Sequence, residues 1–200
     1  MERTDRPAQP LRAGGPAAAA LKKELKRVES GIRFRQTLRS TAFTLAIVAA
    51  LAVLAATIFL PVLRIYGASM APTLAEGDVV VSVRTGGVET GELVAFYYGN
   101  KVLIKRCIGT AGDVIDMDEA GNVFVHRVPL EEPYLTQKAF GACDIELPYQ
   151  VPEGRCFVMG DQRETSVDSR NTLIGCISSE QMIGRIVFRI WPLESFGRIR

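Results

Sequence analysis

A single histidine, His126, is all the imidazole that this 200-residue chain holds. It follows Phe124 and Val125 in what reads as a strand, away from every polar cluster. Any Ser-His-Asp arrangement would have to recruit it, so a structural histidine is the expected reading. The four cysteines contain no C-x-x-C pair, and a zinc site would need nearly all of them together with that histidine. Neither a metal nor a cofactor is expected. Packing accounts for Cys107, Cys143, Cys156 and Cys176. In an oxidising compartment one or two disulfides could form, in any of three pairings if all four join. Net charge is scarce too, at +2, and Lys and Arg form no stripe, which argues against a nucleic-acid partner. The last absence is local: no charged residue occurs from Ser40 to Leu63.

That uncharged run is long enough to cross a bilayer, which takes roughly 20 apolar residues. Its N-terminal flank carries Lys22, Lys23, Lys26, Arg27, Arg33, Arg35 and Arg39. The positive-inside rule therefore puts the N-terminus in the cytoplasm and the rest of the chain outside. A cleavable signal peptide has a shorter apolar core behind a short basic start, so an uncleaved anchor in the cell membrane is the better reading. Three regions result: a cytoplasmic tail over 1–39, a transmembrane anchor over 40–63 and an extracytoplasmic domain over 64–200. In the tail, Pro7, Pro10, Pro16 and Gly14-Gly15 predict disorder. Leu21, Leu25 and Val28 predict a short amphipathic helix from Ala17 to about Thr37, weakened in its middle by Gly31.

Beyond the anchor, Val- and Ile-rich runs alternate with glycine turns, which predicts a mainly β, antiparallel domain. Strands are expected at 79–83, 92–98, 102–108, 114–117, 123–128, 157–159 and 183–191. Residues 129–153 hold Pro129, Pro133, Pro148 and Pro152 and predict an irregular excursion over the surface.

Three polar features stand out against this background. Ser69 lies just after the apolar run, between Gly67 and Pro72, where a hydroxyl can be held in place. Lys105 sits in the middle of Val102-Leu103-Ile104-Lys105-Arg106-Cys107-Ile108. In a strand it shares a face with Leu103 and Cys107, while Ile104 and Arg106 point the other way. An ammonium there is expensive, and desolvation would lower its pKa until a neutral amine could act as a base. Ser166, Asp168 and Arg170 would line one face if their segment is extended, setting a hydroxyl beside an ion pair.

Taken in order, Ser-Met-x-Pro-Thr-Leu after an apolar span, Lys-Arg-x-x-Gly-x-x-Gly-Asp and Gly-Asp-x-Arg-x-x-Ser-x-Asp-Ser-Arg resemble the motifs of the bacterial type I signal peptidases. The resemblance covers about residues 40 to 192. It implies a membrane-anchored serine endopeptidase with a mostly antiparallel β fold, cutting signal peptides from exported preproteins after small residues. Those preproteins and membrane lipid are the implied partners, with the secretion translocase nearby. Carried onto this chain, Ser69 would be the nucleophile, Lys105 the general base, and the Ser69 N–H part of the oxyanion hole. Gly67 stands where some relatives place a serine as second donor. Ser166 would hold the Lys105 amine, Asp168 and Arg170 would stiffen the wall behind it, and Met70 would lie beside the cleft. Gln162 replaces the usual asparagine and keeps its carboxamide. The alternatives are a pilus- or conjugation-associated relative and a membrane-anchored binding domain without catalysis.

Overall fold

Proline and glycine punctuate this chain where its helix gives way to sheet, and the structure, a computed structural model, follows them. It describes residues 16–84 and 86–199. The disorder expected of the first 15 residues lies outside that range. Contacts divide the chain after Leu54 into two units.

The N-terminal unit is dominated by a single helix, α1 (Pro16–Phe59). Ala and Leu favour it along its length, with Lys, Glu and Arg adding to its first half, and Arg33 pairs with Glu29 one turn away at 3.3 Å. The amphipathic helix and the anchor expected as separate segments are thus one continuous helix, which runs through Gly31 without a break. The helix also ends before the expected anchor does. Pro61 has no N–H to give and disfavours helical geometry in Leu60, so the helix stops at Phe59. The uncharged residues from Ser40 to Phe59 still make a rod of about 30 Å, long enough for a bilayer core. Val62 and Leu63 are lost from the expected anchor and belong to a sheet.

The second unit carries the strands: β1 (Val62–Arg64), β2 (Val79–Val83), β3 (Leu93–Tyr98), β4 (Lys101–Gly109), β5 (Val114–Met117), β6 (Val123–Val125), β7 (Val128–Pro129), β8 (Tyr149–Gln150), β9 (Arg155–Met159), β10 (Ile177–Ser178), β11 (Met182–Trp191) and β12 (Gly197–Arg198). The larger sheet has the order β1-β2-β11-β3-β4-β9-β10, with β12 also on β11, and the smaller one the order β7-β6-β5-β8. Every pairing is antiparallel. The mainly β expectation therefore holds for this unit.

Both faces of β3 are buried, because alternate residues serve different cores. Leu93 and Ala95 pack with Ile65, Met70, Leu74, Val80, Ile183 and Ile186. Val94 and Phe96 pack with Cys107, Cys156, Val158 and Ile177. A third core around Ile108, Ile115, Val123, Phe157 and Met159 joins the two sheets. All four cysteines are free.

Three further expectations need correction. The strand expected over 123–128 is two short strands joined by a tight turn, in which His126 (φ 51°) and Arg127 (φ 67°) are both left-handed. Two-residue hairpins take that geometry because it matches strand twist, and no Asn or Gly announces it here. The excursion over 129–153 is irregular but does not merely cover the surface. Leu130, Phe140, Ile145 and Leu147 pack onto the third core, and the Glu132 side chain is fully buried against Arg163. Finally, the segment holding Ser166, Asp168 and Arg170 is a succession of turns rather than an extended strand.

Candidate active site

Ser69 opens a tight turn that its neighbours pin from below. Met70 and Leu74 are buried in the first core, and the Leu74 N–H donates to the Met70 carbonyl at 2.9 Å. Just before the turn the backbone passes through Gly67 at φ +83°, a left-handed conformation that glycine adopts without a Cβ clash. Gly67, Ser69 and Met70 line one cavity of about 640 Å³. Its walls are apolar, with Val62, Leu63 and Ile65 contributed by one stretch and Val102, Leu103 and Ile104 by the start of β4. The Ser69 backbone N–H has no partner among the described residues.

Lys105 lies in β4 opposite Val94 and is only 3% exposed. Its Nζ donates to Ser166 Oγ at 2.9 Å. Burial pulls its pKa from the ordinary 10.5 down to about 8; Asp168 acts against that and Arg170 with it. Asp168 is a weak counter-ion because its oxygens are already engaged. Arg170 donates to both of them at 2.9 Å, and the Gly160 N–H donates to one at 2.9 Å. Burial by itself would raise the Asp168 pKa, but the Arg170 hydrogen bonds and charge outweigh it and hold the carboxyl below its usual range.

Gly160 brings the two halves together. A Cβ built on it would lie 2.2 Å from Ser166 Oγ and 2.6 Å from the Ser69 carbonyl oxygen, so only hydrogen fits. The same carbonyl accepts from the Gln162 N–H at 3.1 Å. That contact is made by backbone and does not depend on the side chain at position 162. Among the described residues the Ser69 hydroxyl has no hydrogen bond to Lys105; the link between them runs through Ser166, which bonds Lys105 and crowds Gly160 together with the Ser69 carbonyl.

Sequence reasoning missed a second layer. Arg106 and Asp161 are 1% and 2% exposed and form a two-pronged ion pair, Nε to Oδ1 at 2.9 Å and Nη2 to Oδ2 at 2.7 Å. Thr73 Oγ1 donates to the same carboxylate, and Tyr134 covers the guanidinium with its ring centroid 3.7 Å from Cζ. One residue from each of the three motifs meets here. The signal was present in β-alternation, which turns Arg106 away from Lys105 into the interior, where a guanidinium needs an acid.

A family model described as "Signal peptidase, peptidase S26" matches residues 38–191. The chain belongs to the signal peptidase family. Membership makes it a serine peptidase, a membrane-anchored hydrolase of signal peptides, and α1 supplies a helix long and apolar enough for the anchor. The peptidase is 34% identical over 152 residues to signal peptidase IB of Staphylococcus aureus, covering 66% of this chain and 78% of that one. It is 35% identical over 172 residues to signal peptidase I of Bacillus licheniformis, covering 80% and 89%. A solved signal peptidase I from Enterococcus faecalis matches at 23% identity and a TM-score of 0.44, over 51% of this chain and 98% of that chain.

His126 stands apart from all of this. Its ring is 56% exposed on the turn between β6 and β7, with Nε2 3.0 Å from Asp113 Oδ1. Changing it to alanine in the peptidase is expected to alter kcat/KM by no more than about twofold, as for an ordinary surface substitution. Steady-state cleavage of a preprotein by the folded variant checks this, and a large loss would transfer the base to His126.

Proposed function

We propose that Ser69 and Lys105 perform the cleavage, as nucleophile and general base. The observation that carries this is a lysine buried beside the serine turn, held by Ser166 and brought to a pKa of about 8. With Asp168 engaged by Arg170 and Gly160, no carboxylate among the described residues bonds the ammonium, and burial outweighs the pull of Asp168 and Asp161, so a neutral amine is accessible near physiological pH.

In the first step the neutral Lys105 amine takes the Ser69 proton as Oγ attacks the carbonyl carbon of the residue before the cut. The developing oxyanion is received by the Ser69 N–H, with the backbone around Gly67 closing the other side. Lys105 then returns the proton to the leaving amine. An acyl group remains on Ser69, and water, deprotonated by the same lysine, releases it. Ser166 orients the amine throughout, Asp168 and Arg170 fix the turns that hold Ser166, and Met70 forms the cleft floor.

The substrate side follows from the β4 edge. Cys107 exchanges hydrogen bonds with Gly91 and Glu92 on the β3 side, so residues 101, 103 and 105 face β3. Val102 and Ile104 then turn their backbone groups toward the cavity, where β9 does not reach. An extended preprotein segment can add there as a strand, with the small residues of an Ala-x-Ala site directed into the apolar pocket. The uncharged part of α1 crosses the cell membrane, with the basic flank on the cytoplasmic side and the peptidase unit outside.

The test is the pH dependence of kcat/KM on a preprotein with an Ala-x-Ala site. The rate is expected to rise about tenfold per pH unit and to level off above about pH 8, because only the unprotonated amine can accept the serine proton. A limb near 6.5 would assign the base to a histidine, and one near 10.4 would mean a solvated amine.

A further inference from the structure

The apolar cleft ends in unbalanced positive charge. Arg64 and Lys101 both line it, and among the described residues no Asp or Glu does. Neither forms an ion pair among the described residues; Arg64 lies 5.9 Å from the centroid of the Tyr66 ring, and Lys101 opens β4 across the two-residue turn from Tyr98. Both are exposed. The sheet order makes their placement informative. From β1 to β4 lie four antiparallel steps, so the two strands run in the same sense, and both lead toward the reacting groups. Arg64 precedes Ser69 by five residues and Lys101 precedes Lys105 by four, so each cation lies upstream of a reacting group on a stretch that lines the same cavity.

We propose that Arg64 and Lys101 form a charge filter that selects preproteins with an acidic residue, and disfavours those with a basic one, at the fourth to sixth position before the cut. The inference rests on the Ser69–Lys105 reading and names a determinant of substrate choice at that site. Lys105 lies four residues beyond Lys101 along the strand, a distance of about 13 Å at the usual rise. A substrate strand with its scissile bond at Ser69 therefore brings its fourth or fifth preceding residue level with Lys101. The acyl side of the substrate occupies this part of the cleft, because the small apolar residues of the cleavage site fit its apolar walls. With two cations and no acid, the local potential has one sign, attracting a carboxylate and repelling a second ammonium.

The experiment uses the full chain in detergent and a set of peptides sharing one Ala-x-Ala site, with Asp, Ala or Lys placed in turn at the fourth, fifth and sixth positions before the cut. Each kcat/KM is divided by that of the alanine peptide with the same enzyme. The Asp-to-Lys ratio is expected to reach roughly fivefold to tenfold at one of these positions in low salt, the size two exposed pairs can supply, and to shrink in 0.5 M salt. In the Arg64→Gln/Lys101→Gln double variant the ratio is expected to fall to near one. A wild-type ratio of one, or a preference that survives in the double variant, would overturn the filter. Failure of the wild type to cut even the alanine peptide would instead overturn the cleft reading beneath it, and the two failures are separately visible.

Discussion

Ser69→Ala and Lys105→Met are each expected to leave a folded protein that cuts no measurable preprotein, a loss of at least about 10⁴-fold in kcat. The two groups act as a unit, so the double variant should be no worse than either single one. Lys105→Met separates chemistry from folding. Methionine matches the length of the lysine stem and removes a buried charge, while Ser166 Oγ loses one donor. Its melting temperature should therefore equal or exceed that of the wild type, since exchanging a buried ammonium for an apolar chain relieves desolvation. The measurement is product formation at the expected bond, followed on the same samples as thermal melting. An active Lys105→Met variant would overturn the assigned base, and an active Ser69→Ala variant the nucleophile.

Breaking the Arg106–Asp161 pair is the second large effect, and it falls on stability. Asp161→Ala leaves a guanidinium that is 1% exposed without its acid, and removing one partner of a buried pair costs about 3–5 kcal/mol. For a unit of this size that is a fall in melting temperature of roughly 6–20 °C. Arg106 keeps the Gly91 carbonyl, 2.8 Å from Nη1, but Thr73 loses its acceptor, so the turn carrying Ser69 should loosen as well. The double variant Arg106→Met/Asp161→Leu should recover most of the lost stability, because apolar residues of similar volume replace a buried pair without leaving a charge behind. Thermal melts of the three variants decide it. A single variant as stable as the wild type would show that the pair carries little.

These two predictions mark the line between what could be read from the chain and what could not. Strands announced themselves where valine and isoleucine runs met glycine turns, as at 79–83 and 114–117, because both signals are local. The uncharged stretch after Arg39 announced a helix for the same reason. Ser69, Lys105 and Ser166 drew notice because each was unusual in its surroundings. The partnership of Arg106 with Asp161 joins two motifs through space: alternation turns Arg106 inward and calls for an acid, but nothing local names Asp161 as that acid. The requirement for hydrogen at Gly160 arises from Ser69 and Ser166 pressing on it together, and its backbone is not left-handed, so no turn pattern flags it. The turns after Asp161 hid in a different way. Alternation correctly drew attention to Ser166, Asp168 and Arg170, yet they meet because the Arg170 side chain folds back onto Asp168, not because a strand presents them on one face.

Val102 and Ile104, whose backbone groups point off the β4 edge, set a condition on timing. Backbone groups can be accepted there only from a chain whose own N–H and C=O groups are free. A cleavage site still wound into helix, or already paired within a folded domain, offers none. If preproteins add to this edge as proposed, cutting is confined to the interval in which the segment beyond the apolar helix of a preprotein is extended, before the mature domain folds and takes up those same backbone groups.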